Sequence, residues 1–163
     1  MLDGITTACR ELAWRRHARR LAVLVGDAPA HGVGAQSDAF SQGCPCGETI
    51  ASVTRLAEET RLTLHSLGLT KAVHHSFSER SYLTGGQFFP AEQADKAIAH
   101  LATLLKMEFA ALDTDRRVLA LYRATPELTV QEMARRMDIS RYAVSNSLVR
   151  LLSRDLIETP AAH

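Results

Sequence analysis

Arg20-Leu-Ala-Val-Leu-Val-Gly-Asp-Ala-Pro-Ala-His-Gly32 decides the fold of the N-terminal part of the chain. Residues 21–25 are an unbroken apolar run between arginines and Gly26, which reads as a short strand buried on both faces of a parallel sheet. Gly26 and Asp27 then set a carboxylate at the strand's C-terminal end, where loops of open parallel sheets converge and ligands bind. Pro29 and Gly32 turn the chain away from regular structure.

Outward from this strand, helical and extended patterns alternate. Residues 3–15 read as a helix capped by Asp3, with Ile5, Ala8, Cys9 and Leu12 on one face and Trp14 closing it. Residues 27–48 are a long loop rich in Gly, Ser, Pro and Gln, a length that compact domains reserve for functional or disordered segments. A second helix follows over 49–61, with Ile50, Val53, Leu56 and Ala57 inward, then a strand over 62–67 ended by Gly68. A short helix over 76–83, a third strand over 87–89 stopped by Pro90, and a long helix over 91–112 complete the series. Ala94, Ala97, Ile98, Leu101, Leu104 and Leu105 share one face of that last helix and read as core. The alternation predicts an α/β unit with a parallel, helix-covered, Rossmann-like sheet over residues 1–110.

The segment Leu-Val-Gly-Asp-Ala-Pro-Ala-His-Gly, with "LTLHSLGL" and "SFSERSYLTGGQFF" downstream, resembles the later strands of von Willebrand factor A domains. The resemblance covers roughly residues 2–110. It implies a partial VWA-type sheet, a protein partner, and a role for Asp27 in a site for a divalent cation such as Mg²⁺. That family takes its other ligands from an Asp-x-Ser-x-Ser motif on the first strand, and the chain contains no such motif. A lone carboxylate does not make an oxygen cage for Mg²⁺, so the ion is expected in a longer parent protein. The absent strand would pair with residues 21–25. Its loss implies that the chain is a fragment or forms a homodimer through the unpaired edge.

From Asp113 the pattern changes. Residues 113–123 read as an amphipathic helix with Val118, Leu119 and Tyr122 inward, ended by Thr125-Pro126. Thr129 caps a second helix over 130–137, with Gln131 and Glu132 near its positive end. After a turn at Asp138 and Ile139, Ser140 caps a third helix running to about residue 154, with Val144, Leu148 and Leu151 inward, and Leu156-Ile157 reads as a short strand. Two short helices joined by a tight turn are a helix-turn-helix. "LTVQEMARRMDISRYAVSNSLVRLLSRDLIE" resembles the winged helix-turn-helix of bacterial transcriptional regulators, on Ala134, Ile139, Val144 and Leu148. The module spans 111–163, small and all-α, its wing missing or vestigial because little chain follows Ile157. The third helix is expected to present Ser140, Arg141, Tyr142, Ser145, Asn146 and Arg150 to DNA. Arginine can read guanine and asparagine adenine in the major groove, while Arg135 and Arg136 can reach phosphates.

Composition narrows the alternatives. A formal net charge of +1 excludes a partner held by bulk electrostatics alone. No apolar run is long enough to span a bilayer, no signal peptide opens the chain, and three cysteines do not make a disulfide framework, so a cytoplasmic location is expected. Cys44-Pro-Cys46 with His31 offers thiol and imidazole ligands for Zn²⁺, but the one-residue gap is tighter than structural zinc pairs use and fits ordinary reduced thiols better. His65 reads as a core histidine and His74-His75 as a solvated loop. An enzyme would need Cys44 or Cys46 as nucleophile with His31 or His74 as base, and neither GxxxxGK[ST] nor GxSxG is present. The expected function is a non-enzymatic regulator whose α/β part binds a protein and whose helical part binds DNA. A purely protein-binding scaffold and a metal- or thiol-dependent hydrolase are the alternatives.

Overall fold

The computed structural model describes residues 1–33 and 38–158. The chain divides into two compact units, residues 1–15 with 19–101 and residues 16–18 with 102–163, the division falling inside one helix. The first unit is α/β, as the alternating pattern predicts, and the second is helical.

In the first unit α1 (Leu2–Arg10), β1 (Arg20–Gly26), α2 (Ile50–Glu59), β2 (Leu62–Gly68), α3 (His74–Leu83), β3 (Phe88–Pro90) and the start of α4 (Ala94–Ala124) follow in order. The three strands are parallel, in spatial order β1-β2-β3. β1 and β2 run in step from Arg20 opposite Leu62 to Gly26 opposite Gly68. Leu2, Ile5 and Cys9 of α1 meet Val53 and Ala57 of α2 and Leu62 and Leu64 of β2 in a single core. α2 starts where Thr49 and Ser52 exchange backbone-to-side-chain hydrogen bonds of 3.0 and 2.9 Å, which satisfies two otherwise orphaned N–H groups. At Gly86 the turn after α3 presses on β2 so closely that a Cβ would fall on the Leu64 carbonyl oxygen, so only glycine fits.

Behind β2 the Ser81 hydroxyl meets that of Ser66 at 2.8 Å, both fully buried. Arg80 beside them is also fully buried. Its Nε donates to the Ser76 carbonyl at 2.8 Å and its guanidinium lies 5.1 Å from the Phe77 ring centre. Burial lowers its pKa to about 10, which leaves it charged at neutral pH.

Several expectations are corrected here. β1 is not buried on both faces: Val23 is 37% and Val25 53% exposed. The reason is its place at the sheet edge, with β2 its only neighbour among the described residues. α1 ends at Arg10, and Trp14 lies beyond it, its indole N–H donating back to the Ala8 carbonyl at 2.8 Å. His74 and His75 open α3 rather than lying in a loop, and His74 packs edge-on against Phe88. His65, by contrast, is the core histidine expected, its Nδ1 accepting from the Gln87 N–H at 3.0 Å. The two helices expected over 91–123 are one 31-residue helix, α4, because no glycine or proline interrupts it. Its apolar face is not the core expected: Leu104 is buried, but Ile98, Leu101 and Leu105 are exposed. No helix among the described residues is long and apolar enough to cross a membrane.

The second unit packs the C-terminal part of α4 with α5 (Val130–Met137) and α6 (Arg141–Ser153). Met133, Ala134 and Val144 form its centre, with Leu121, Tyr122, Ile139 and Leu148 around them. Val118 and Leu151 are also buried, as their helical spacing predicts. Leu156 and Ile157 form a bend instead of a strand, and Asp155 just before them is left-handed (φ 54°). The expected position of the wing lies, from residue 159 on, outside the described residues, as do residues 34–37 of the long loop.

Candidate nucleic-acid interface

α5 and α6 are set by local chemistry at three points. Thr129 caps α5: its hydroxyl accepts from the Glu132 N–H at 3.3 Å, and the Glu132 carboxylate accepts from the Thr129 N–H at 2.8 Å. The Thr129 hydroxyl and then its backbone N–H hold the Glu132 carboxyl below the usual carboxylate range, so it stays charged at the positive end of the helix. Asp138 ends α5 in the left-handed region (φ 53°), which aspartate tolerates better than most side chains. The Ile139 N–H returns to the Ala134 carbonyl at 3.1 Å. Ser140 then caps α6, its hydroxyl accepting from the Ala143 N–H at 3.1 Å.

The result is a short turn between two helices, with the first turns of both opening on one surface. An open hollow of about 710 Å³ lies there, with Thr129 and Gln131 on one side and Ser140, Arg141, Tyr142 and Ser145 on the other. Arg141 and Ser145 are exposed and Tyr142 is 77% exposed, despite its aromatic ring. Asn146 is half-buried, and Arg135 and Arg136 of α5 are exposed. The start of α6, with the Arg141 guanidinium exposed beside it, suits anionic oxygens.

Arg150 departs from this group, and its expected outward placement is corrected. Its Nε and Nη2 reach both oxygens of Asp115 on α4, at 3.0, 3.2 and 2.6 Å. The Asp115 side chain is only 2% exposed. It also accepts from the Ser147 hydroxyl at 2.8 Å and from Arg154 Nη1 at 3.5 Å. Arg154 donates in turn to the His17 carbonyl at 2.9 Å. A buried carboxylate draws the nearest guanidinium because its charge is unaffordable unpaired. Arg150 therefore fixes α6 against α4 instead of facing a groove.

The other candidates are scattered. Asp27 is exposed at the end of β1, and its main-chain oxygen accepts from the Thr70 hydroxyl at 2.5 Å. Among the described residues, no group of three metal-ligating side chains includes Asp27, so the residues present do not fit a Mg²⁺ cage. His31 stands apart from the cysteines and pairs with Asp38 at 2.6 Å. Cys46 is raised to about 11 by hydrogen bonds with Cys44 and then Asp3. That shift holds the thiol protonated, opposite to what a nucleophile needs.

A model of the MarR family matches residues 113–163. The match falls on the helix-turn-helix just described. It leaves the α/β unit outside, and no curated protein and no solved structure matches the chain.

Proposed function

We propose that the chain is a non-enzymatic, DNA-binding regulator in which α6 enters the major groove of duplex DNA. The observation that carries this reading is the exposed start of α6, with Arg141, Tyr142 and Ser145 beside the open hollow, inside the segment that matches the MarR family. Arg141 would read guanine and Asn146 adenine. Arg135, Arg136 and the N–H groups at the start of α6 would hold phosphates. The small net charge of +1 is no obstacle, because Arg135, Arg136 and Arg141 are all exposed. Binding should fall steeply with salt. Titrating labelled duplex DNA by fluorescence anisotropy should give a log–log slope of about −2 to −4, the value for two to four neutralised phosphates. Absence of binding at low salt, or a slope near zero, would sink the proposal.

For the α/β unit, the edge of β1 favours a protein partner, and we propose that this partner is a second copy of the chain. Val23 and Val25 are exposed on one face, and no described residue pairs with the outer side of the strand. Antiparallel pairing about a twofold axis at Val23 sets Leu21 against the partner's Val25, so that apolar side chains meet on both sides of the axis. Light scattering coupled to size exclusion should report a dimer for the parent chain and a monomer for Val23→Lys, since charged residues guard edges against pairing. An unchanged mass for the variant would place the contact elsewhere.

A further inference from the structure

The structure brings Asp3, in the first turn of α1, to the Cys44-Pro45-Cys46 turn of the long loop. A carboxylate oxygen and the two sulfurs all lie within 4.8 Å of one another. We propose that these three side chains form a binding site for a thiophilic divalent cation, zinc in the first instance, with a fourth position open to water or an external ligand. Zn–S bonds of about 2.3 Å and Zn–O bonds of about 2.0–2.2 Å place tetrahedral donors roughly 3.6–3.8 Å apart, so the groups need close in by only about 1 Å. The donor set selects the metal: two thiolates favour zinc over calcium or magnesium, which demand an all-oxygen cage.

Two further observations agree. The Glu48 backbone N–H is directed at the Cys46 sulfur, the kind of supporting donor that metal thiolates keep. The Gly47 N–H closes a tight turn on the Cys44 carbonyl at 2.9 Å, and the two sulfurs of that turn lie within 4.8 Å of each other. Glu48 itself is not a fourth ligand, since its carboxylate faces Arg10 at 3.9 Å and the Ser52 hydroxyl at 2.7 Å. On binding, the two thiol protons leave to solvent and two metal–sulfur bonds form, with no change of oxidation state, so affinity should rise with pH. The third cysteine, Cys9, is buried in the core and lies outside the group.

The test uses the full chain, stripped of metal and kept reduced by a phosphine. Cobalt(II) titration should saturate at one ion per chain, with a near-ultraviolet thiolate-to-cobalt band and the strong visible bands of a tetrahedral ion, all bleached by zinc. Cys44→Ser and Cys46→Ser should abolish the thiolate band. Asp3→Asn should weaken binding by at least the roughly 10- to 100-fold that loss of a mere supporting group costs. Cys9→Ala should leave the spectrum unchanged, and circular dichroism of each variant would show that the helices persist. No thiolate band in the parent chain, a band surviving in Cys46→Ser, or unaltered affinity in Asp3→Asn would overturn the assignment.

Discussion

Replacing Asp115 by alanine is expected to lower the unfolding free energy of the helical unit by about 3–5 kcal/mol, the range for breaking a buried ion pair from one side. The carboxylate is 2% exposed and is shared by Arg150, Arg154 and Ser147. Its removal leaves Arg150 without the bidentate partner that orients it and opens a polar void between α4 and α6. Asp115→Asn should do less harm, since an amide oxygen still accepts from Ser147 while the charge is lost. Urea denaturation followed by amide exchange at Val144 and Leu151 gives the number for the unit concerned. A loss under about 1 kcal/mol would mean that the pair is merely a surface ion pair. Arg150→Ala separates its two roles. As a structural residue it should lower stability along with any DNA affinity, whereas a groove contact would lower affinity and leave stability alone.

This ion pair was legible in the sequence, though by a different reading. Asp115 stands three, four and seven residues before Val118, Leu119 and Tyr122, on the inward face of its helix. Ser147 stands between Val144, Leu148 and Leu151 on the inward face of α6. A charge on a buried stripe requires a partner of opposite sign, and Arg150 and Arg154 are one helical turn apart on the facing helix. Helical position alone leaves Arg150 with the outward residues of α6, and it is the charge on Asp115 that draws it in.

Local signals carried the rest of the helical unit: the caps at Thr129 and Ser140 and the apolar spacing both reappear in the structure. The parallel sheet was equally legible, because short extended runs separated by helical stretches leave few other arrangements. What the sequence hid was continuity and exposure. The helical pattern that begins afresh at Asp113 reads as a second helix, yet nothing in the chain stops the first before Thr125. The apolar face of α4 looked like core because periodicity reports which residues align, not whether anything covers them. The meeting of Asp3 with Cys44 and Cys46 was out of reach for the same reason: it depends on where a long loop returns to α1.

The second large effect concerns recognition. The double variant Arg141→Ala with Asn146→Ala should weaken binding to the preferred DNA site by about 2–6 kcal/mol, from about 1–3 kcal/mol per bidentate base contact, or roughly 30-fold to 10⁴-fold. The two positions lie about 7.5 Å apart along the helix at 1.5 Å per residue, near the distance at which such effects become additive. The loss should fall on sequence preference more than on the salt slope, since base contacts discriminate and phosphate contacts do not. Arg135→Ala with Arg136→Ala should do the reverse, weakening all sequences alike and flattening the slope by about 2. Arg116→Ala, which removes an exposed α4 cation paired with Asp113 at 3.3 Å, serves as the charge-matched comparison and should change neither. A selection from random duplexes with each protein reads both quantities at once. If the double α6 variant kept the parent's preferred sequence, α6 would not be the element in the groove, and the exposed start of that helix would have to meet a protein instead.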